Sequence, residues 1–584
     1  MTACVRTGIM VFMNIVNGIP VSNGCRKGRL FIIPDRNETE ISKNSIKPSE
    51  IEPQWNLFLN AVQQVKNDLQ SMSESDNPDE KKIFESYKMM LEDQVFIDEI
   101  KKEFTSRLLN ISYIVLTKYR KSAEMLIAAN NDYLKQRADD ICDVYGRVVQ
   151  ILNGSEKHNF DNIPQNAVVF AKNLQPTDAV ALEKKQPLAV ILQEGGPNSH
   201  FAILIRNYGI PAVFGLSDFP KSAAMNDEVI VDGAKGIVIL DPDKATLEEY
   251  SKKEQQELSQ SRRLSALKKQ PAKTKDGFVV SLFANISSPE EAQTALKQGA
   301  DGIGLFRTEF LFIKENRLLT EEEQFLAYKS VLQTMKDKPV TIRTLDIGAD
   351  KIIESADYKG LDEENPLLGW RGIRFCLDNK ELFITQLRAL YRASVYGKLK
   401  IMFPMITSCD EVEIILKLVK TVKASLKKEG LPFTEDVPLG VMIETPSAAI
   451  VSDFLAKKCS FFSIGTNDLT QYSLSVDRDN SKVSSLYAET HPAVLRLIDT
   501  TVKNAKKRRI PVSVCGEFAS RPEGLMLLAG MGIDQLSMSC AMIPATKDIL
   551  SRYTATELEQ IAKKALRTNT ASKINEELKR KLDK

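Results

Sequence analysis

The chain has 584 residues, of which 43% are hydrophobic and 27% charged. At roughly 100–200 residues per domain this predicts about three to five domains, or fewer if one is a barrel. A disordered chain, poorer in apolar side chains and further from neutrality, is excluded. Lys and Arg total 79 against 77 Asp and Glu, a net charge of +2, so the chain is not a dedicated nucleic-acid binder with a basic stripe. The eight cysteines, at 4, 25, 142, 376, 409, 459, 515 and 540, form no C-x-x-C pair and no Cys/His cluster. Neither a disulfide framework nor a zinc site is expected, and a reducing, cytoplasmic setting is. No apolar run approaches the ~18–20 residues of a membrane span. The run at 8–16 follows a single Arg, lacks a cleavage site and reads as a strand, not a signal peptide.

In chain order, residues 1–33 read as strand and turn: 11–16, then Gly18-Ile19-Pro20, then 30–33 ending at Pro34. From about Pro48 the period becomes helical. Leu57, Ala61 and Val65 recur four apart, as do Phe58 and Val62, which predicts one apolar face. The pattern continues over 83–91, 95–109 and one long run, 111–152, ending at the C-cap signal Asn153-Gly154. Residues 34–150 are thus expected to form a helical bundle, either a surface for a partner protein or a spacer. Short β-branched runs return at 167–171, 188–192, 212–214, 229–231 and 236–240. The opening strands are expected to join them in one α/β domain, 1–33 plus 151–242, with the bundle as an insertion. Residues 243–272 are charge-dense and helical, a solvated linker helix.

After Pro271 eight strand-like runs alternate mostly with helical pattern: 279–284, 302–306, 340–345, 401–405, 439–443, 461–465, 512–515 and 535–538. They predict a TIM (β/α)8 barrel over 273–584, and their continuous apolar character suits parallel strands buried on both faces. The fold class is therefore multidomain α/β, a C-terminal barrel preceded by a β/α domain with an inserted helical bundle.

Chemistry in such a barrel gathers on the C-terminal rim. That rim collects Asn285, Arg307-Thr308-Glu309, Arg343 with Asp346, Glu444, Asn467-Asp468, Cys515-Gly516-Glu517 and Ser539. One polar residue at a strand end often only satisfies backbone groups. Several arginines and carboxylates on one rim need another reason, because unpaired buried charges are costly. Arg307, Arg343 and the later Arg478 are fork-shaped donors suited to phosphate and carboxylate oxygens. Glu444 and Asp468 are hard ligands, and two carboxylates with substrate oxygens and water is how Mg2+ is usually held. The set predicts a small, phosphorylated, polyanionic substrate. For Cys515, core filler, nucleophile and proton donor all stay open.

A second constellation, Gly195-Gly196-Pro197-Asn198-Ser199-His200, joins the strand at 188–192 to an apparent helix at 201–208. A glycine turn before a helix presents backbone N–H groups to an anion. Of the three histidines, His158 lies in a polar connection and His491 opens a helix, so both read as surface or cap residues. His200 is the nucleophile candidate.

Together with the motifs GIGLFRTEFLF (302–312), TIRTLDIGADK (341–351), NPLLGWRGIR (365–374), GVMIETPSAA (440–449), SIGTNDLTQYSLSVDRDN (463–480) and CGEF (515–518), these residues closely resemble Enzyme I of the bacterial phosphotransferase system. That family comprises the phosphoenolpyruvate–protein phosphotransferases. The resemblance runs from Gly18-Ile19-Pro20 to the end of the barrel. It implies that His200 carries phosphate on Nε2 and that Arg307, Arg343, Asn467, Asp468 and Arg478 bind phosphoenolpyruvate. It further implies that Glu444 and Asp468 hold Mg2+ and that Cys515 protonates the enolate to pyruvate. The helical insertion then docks the phosphocarrier protein HPr, the barrel makes a homodimer, and the 243–272 helix is the swivel arm, in service of sugar uptake.

Two stretches depart from the family pattern. Where Gly-Gly-Arg-Thr-Ser-His-Thr is usual, this chain has Pro197, Asn198 and Phe201, and after Cys-Gly-Glu an acidic position is replaced by Ser520-Arg521. Neither removes a ligand or the nucleophile. A pyruvate, phosphate dikinase or phosphoenolpyruvate synthase shares the His domain and the barrel but adds an ATP-grasp domain. Here the residues before the His domain look helical and no G-x-x-x-x-G-K-[ST] loop occurs. A non-catalytic regulator that binds phosphoenolpyruvate is the other alternative, motivated by the altered loop and opposed by the intact Arg, Glu, Asp, His and Cys positions.

Overall fold

The computed structural model describes all of the chain except residues 1–2, 7–8, 13, 35–40, 74–77, 129–131, 155–159, 221, 349–362, 364 and 583–584. His158 and residues 349–351 of the TIRTLDIGADK motif fall outside the described residues. The chain divides into two units, Met1–Gln260 and Ser261–Lys584.

The first unit is built on an eight-stranded mixed sheet. Its order is Asn14–Asn17, Ile237–Leu240, Glu228–Asp232, Cys25–Ile32, Ala167–Ala171, Ala189–Leu192, Ala212–Phe214 and Ile19–Ser22. The strands Cys25–Ile32 and Ala167–Ala171 are parallel neighbours, and the whole helical segment Ile51–Ser73 to Asp132–Leu152 lies between them in sequence. The opening strands do join the later sheet, as expected, because the apolar faces of Val16 and Leu30 pack with Val168, Val229 and Val238 in one core. The opposite face and the helices share a second core.

Two details differ from expectation. The run at 11–16 is split, with Ile9–Phe12 paired to Ala3–Arg6 and only Asn14–Asn17 in the main sheet. In the run at 111–152 the described residues form the helices Ile111–Ala128 and Asp132–Leu152, and residues 129–131 lie outside the described ones. Leu57 is 58% exposed, whereas Phe58, Ala61, Val62, Val65 and Leu69 are buried. At about 100° per residue, Leu57 lies roughly 80° from Val65 and Phe58 only about 20°, so Phe58 takes the inward place.

The second unit is a closed barrel of eight parallel strands in chain order: Ser281–Ile286, Gly302–Arg307, Pro339–Arg343, Lys398–Phe403, Leu439–Ile443, Phe461–Ile464, Val512–Val514 and Gln535–Ser539. Leu305, Met402, Met442 and Phe461, from four different strands, and Cys515, which directly follows a fifth, form one buried cluster. The helix Lys244–Leu267 buries only Tyr250, which agrees with its charged sequence, and the boundary between the units falls within it. Among the described residues no helix is long and apolar enough to cross a membrane.

Candidate active site

In the first unit, the turn after strand Ala189–Leu192 requires glycine at 195, where φ is +117°. Ser199 is the N-cap of helix His200–Asn207 and its hydroxyl accepts from Ala202 N–H at 3.2 Å. Arg206, on the same helix, fastens the loop by donating to Pro197 O at 2.9 Å and to Val21 O at 3.1 Å. His200 thus stands in the first turn of the helix, its side chain 22% exposed. Its Nδ1 lies 2.8 Å from Oδ1 of Asp140, a buried residue of helix Asp132–Leu152. The same oxygen accepts from Tyr87 Oη at 3.1 Å. With Nδ1–H donated to the carboxylate, Nε2 keeps its lone pair. A cavity of about 450 Å3 adjoins, lined by Lys82, Ser86, Gln136, Arg137, Asn198 and His200 among others.

Of the departures around His200, Phe201 has a structural role: it is buried in the core, its ring 5.8 Å from that of Phe214. Asn198 and Pro197 offer backbone carbonyls, accepting from Gln136 at 3.4 Å and Arg206 at 2.9 Å, so nothing in these contacts explains their side chains. The imidazole is oriented by its contact with Asp140.

In the second unit, every barrel residue singled out as a binding or catalytic candidate lines one pocket of about 120 Å3: Arg307, Arg343, Glu444, Asn467, Asp468, Arg478 and Cys515. Arg343 ends its strand, is buried, and donates to Glu309 Oε1 at 2.5 Å, with Asp346 Oδ2 2.9 Å from its Nη1. Its Nε, also buried, has no hydrogen-bond partner among the described residues. Arg307 ends the neighbouring strand and has no carboxylate ion-pair partner among the described residues.

Asn467 and Asp468 open the helix Thr466–Leu474. Asn467 Oδ1 accepts from Glu517 N–H at 3.0 Å, which leaves the amide NH2 as a donor. Asp468 lies 3.5 Å from Arg371 Nη2 and 3.9 Å from Arg478 Nη1, yet its Oδ1 is buried without a hydrogen bond. Glu444 is 1% exposed and accepts from Met405 N–H at 2.5 Å. Burial, then the nearby Asp468 and Asp346, push its carboxyl up to about 8. Two hard oxygen donors, one orphaned and one resisting ionisation, fit a divalent cation.

Cys515 follows strand Val512–Val514, is buried, and directs its Sγ to Ile464 O at 3.7 Å. Burial pushes the thiol up to about 11, with Ser463, Arg343 and Arg307 pulling the other way. It is therefore a thiol at neutral pH, suited to giving a proton and poorly suited to nucleophilic attack. Gly516 is forced by crowding, because a Cβ there would sit 1.8 Å from Thr466 Oγ1.

Of the other rim residues, Asn285 braces the site by donating to Cys515 O at 2.9 Å. Thr308 donates to Arg343 O at 2.9 Å, and Ser539 does not line the pocket. His491 caps a helix, its Nδ1 accepting from Ala493 N–H at 3.2 Å. Three pieces were missed from sequence: Asp140, Glu309 as the partner of Arg343, and Arg371. Arg371 reaches the pocket from the loop before helix Ile373–Asp378 and pairs with both oxygens of Asp346, at 2.9 and 3.3 Å. The signal for Asp140 was a carboxylate sharing a helix face with the buried Val144.

Comparison with known proteins gives three family matches: the PEP-utilising enzyme N-terminal domain over residues 17–137, the mobile domain of PEP-utilising enzymes over 163–236, and their PEP-binding domain over 261–555. A phosphoenolpyruvate-protein phosphotransferase of Priestia megaterium is 38% identical over 93% of this chain and 95% of its own length. Those of Bacillus subtilis and Haemophilus influenzae are 37% and 36% identical, each over 96% of this chain and 98% of their own.

Proposed function

The chain belongs to the phosphoenolpyruvate-protein phosphotransferase family, and we propose that it takes the phosphoryl group of phosphoenolpyruvate onto Nε2 of His200. It then passes that group to a histidine of the phosphocarrier HPr, at the head of sugar uptake in the cytoplasm. The observation that carries this reading is the convergence of four arginines, four carboxylates, one amide and one buried thiol on a single pocket.

In that pocket the donors of Arg307, Arg343 and Arg478 and the amide of Asn467 neutralise and orient the phosphate and carboxylate oxygens. Nε2 of His200 attacks phosphorus in line. The N–P bond forms as the bond from phosphorus to the bridging oxygen breaks, and the enolate of pyruvate leaves. The Cys515 thiol delivers a proton to the methylene carbon, giving pyruvate. Glu444 and Asp468 would hold Mg2+, whose chemistry when bound is to neutralise charge on the phosphoryl oxygens. Among the described residues no three His, Cys, Asp or Glu side chains form a ligand set, so substrate oxygens and water complete the shell in this reading.

Asp140 holds the imidazole so that Nε2 is the free nitrogen in both transfers. The helical segment 34–150 receives HPr beside the His200 cavity, the 243–272 helix lets His200 alternate between donor and acceptor, and the barrel, 273–584, binds phosphoenolpyruvate and pairs with a second copy.

Incubation with labelled phosphoenolpyruvate and Mg2+ tests the reading. Acid-labile label is expected on the wild type and none on His200→Ala. Label retained by the variant would move the phosphoacceptor elsewhere.

A further inference from the structure

Arg521, in the Ser520-Arg521 stretch that departs from the resembled acidic pattern, is not idle on the surface. Its Nη1 lies 3.0 Å from Oε2 of Glu489, a close ion pair with a carboxylate whose side chain is only 3% exposed, against 56% for Arg521. Oε2 of Glu489 is buried and has no hydrogen-bond partner among the described residues, so the pair is held by charge, and the nearby backbone N–H of Phe518 and the Arg478 guanidinium also favour the ionised carboxylate. A buried carboxylate needs such a counter-charge, since burial alone favours its neutral form. An acidic side chain at 521 would instead confront both Glu489 and the neighbouring Glu517.

The pair sits at a junction of three substrate-site elements. Phe518 belongs to the turn Glu517–Ser520, directly after Cys515-Gly516, and Arg521 N–H closes that turn on Phe518 O at 3.3 Å. On its other side the turn is tied to Asn467 through Glu517 N–H at 3.0 Å. Glu489 ends the segment 475–489 that carries Arg478. That segment is held at its start by Arg478 N–H donating to Gln471 Oε1 at 3.3 Å, and near its end by Tyr487 Oη donating to Asn467 O at 3.2 Å. Arg478 itself is 38% exposed, and its closest acidic contact is Asp468 at 3.9 Å, so little but its loop fixes it.

We propose that the Arg521–Glu489 pair is a positioning device for phosphoenolpyruvate. It locks the Arg478 segment to the turn after Cys515, so that Arg478 and Asn467 present their donors in fixed register. The proposal rests on the reading of the barrel pocket as the phosphoenolpyruvate site.

The test measures KM and kcat for phosphoenolpyruvate, by label incorporation into the full-length protein, with Arg478→Ala as reference. Arg521→Ala is expected to raise KM about tenfold with kcat within about twofold, the scale of one lost charge-assisted contact. Arg521→Lys recovers most of the loss, and Arg521→Glu exceeds it. If Arg478→Ala raises KM and Arg521→Ala does not, the positioning role is overturned while the pocket reading stands. A lower melting temperature and kcat for Arg521→Ala at unchanged KM overturns it too, leaving a merely structural pair. If Arg478→Ala leaves KM unchanged, the pocket reading fails and the proposal falls with it.

Discussion

Nδ1 of His200 lies 2.8 Å from Oδ1 of Asp140, a carboxylate 60 residues earlier in the chain and 2% exposed. The glycine loop and the Ser199 cap place the imidazole, and a residue of the helical insertion decides which of its nitrogens is free. Insertion and sheet are thus joined at the imidazole itself.

Removing that carboxylate loses both the ring's orientation and its tautomer. Asp140→Ala is expected to slow His200 phosphorylation by about 100-fold, the scale of a misplaced reacting group. Asp140→Asn, which keeps an oxygen acceptor, should fall less. Single-turnover labelling alongside melting temperature checks this. An unchanged rate for Asp140→Ala in a folded protein would show that the loop alone orients His200.

The barrel was legible because parallel strands buried on both faces are short continuous apolar runs, and because residues such as Arg307 and Glu444 follow them directly. Asp140 was not, because Asp139, Asp140 and Asp143 together look like the solvated face of a charged helix. Only the tertiary fold buries Asp140 and Asp143 and exposes Asp139. Arg371 was hidden for another reason: it lies far along the connection after strand Pro339–Arg343, next to helix Ile373–Asp378 and not at the strand end, and only the tertiary fold brings it to Asp346. Leu57 shows the limit of counting in fours, since 3.6 residues per turn carries every fourth position steadily off the buried stripe.

Cys515 has a proton to give and no tendency to lose it otherwise. With its thiol pushed up to about 11 by burial, the metal-free native protein at pH 8.5 should resist iodoacetamide at this position. Its thiolate fraction is more than about 100-fold below that of a free thiol. In the proposed mechanism the Cys515 proton is needed only after the phosphorus–oxygen bond has broken, so Cys515→Ala should still label His200 in a first turnover while pyruvate release falls. Equal loss of both would place Cys515 in the transfer step itself.

Glu444 makes stability depend on pH and on the cation. Its carboxyl, near the ordinary carboxylate value when unfolded, rises to about 8 when folded without metal. Between those values the folded state binds the extra proton, so its stability falls as pH rises through the window from about 5 to 8. Melting temperatures of the metal-free protein should decline across that window, and Glu444→Gln should flatten the decline. Mg2+ with phosphoenolpyruvate should raise the wild-type melting temperature at pH 8, because a ligand bound only by the folded state stabilises it. The Glu444→Gln variant, which replaces one of the two anionic carboxylates with a neutral amide oxygen, should gain much less. Equal gains in both proteins would mean that the cation is held elsewhere, and that the raised carboxyl serves the empty fold alone.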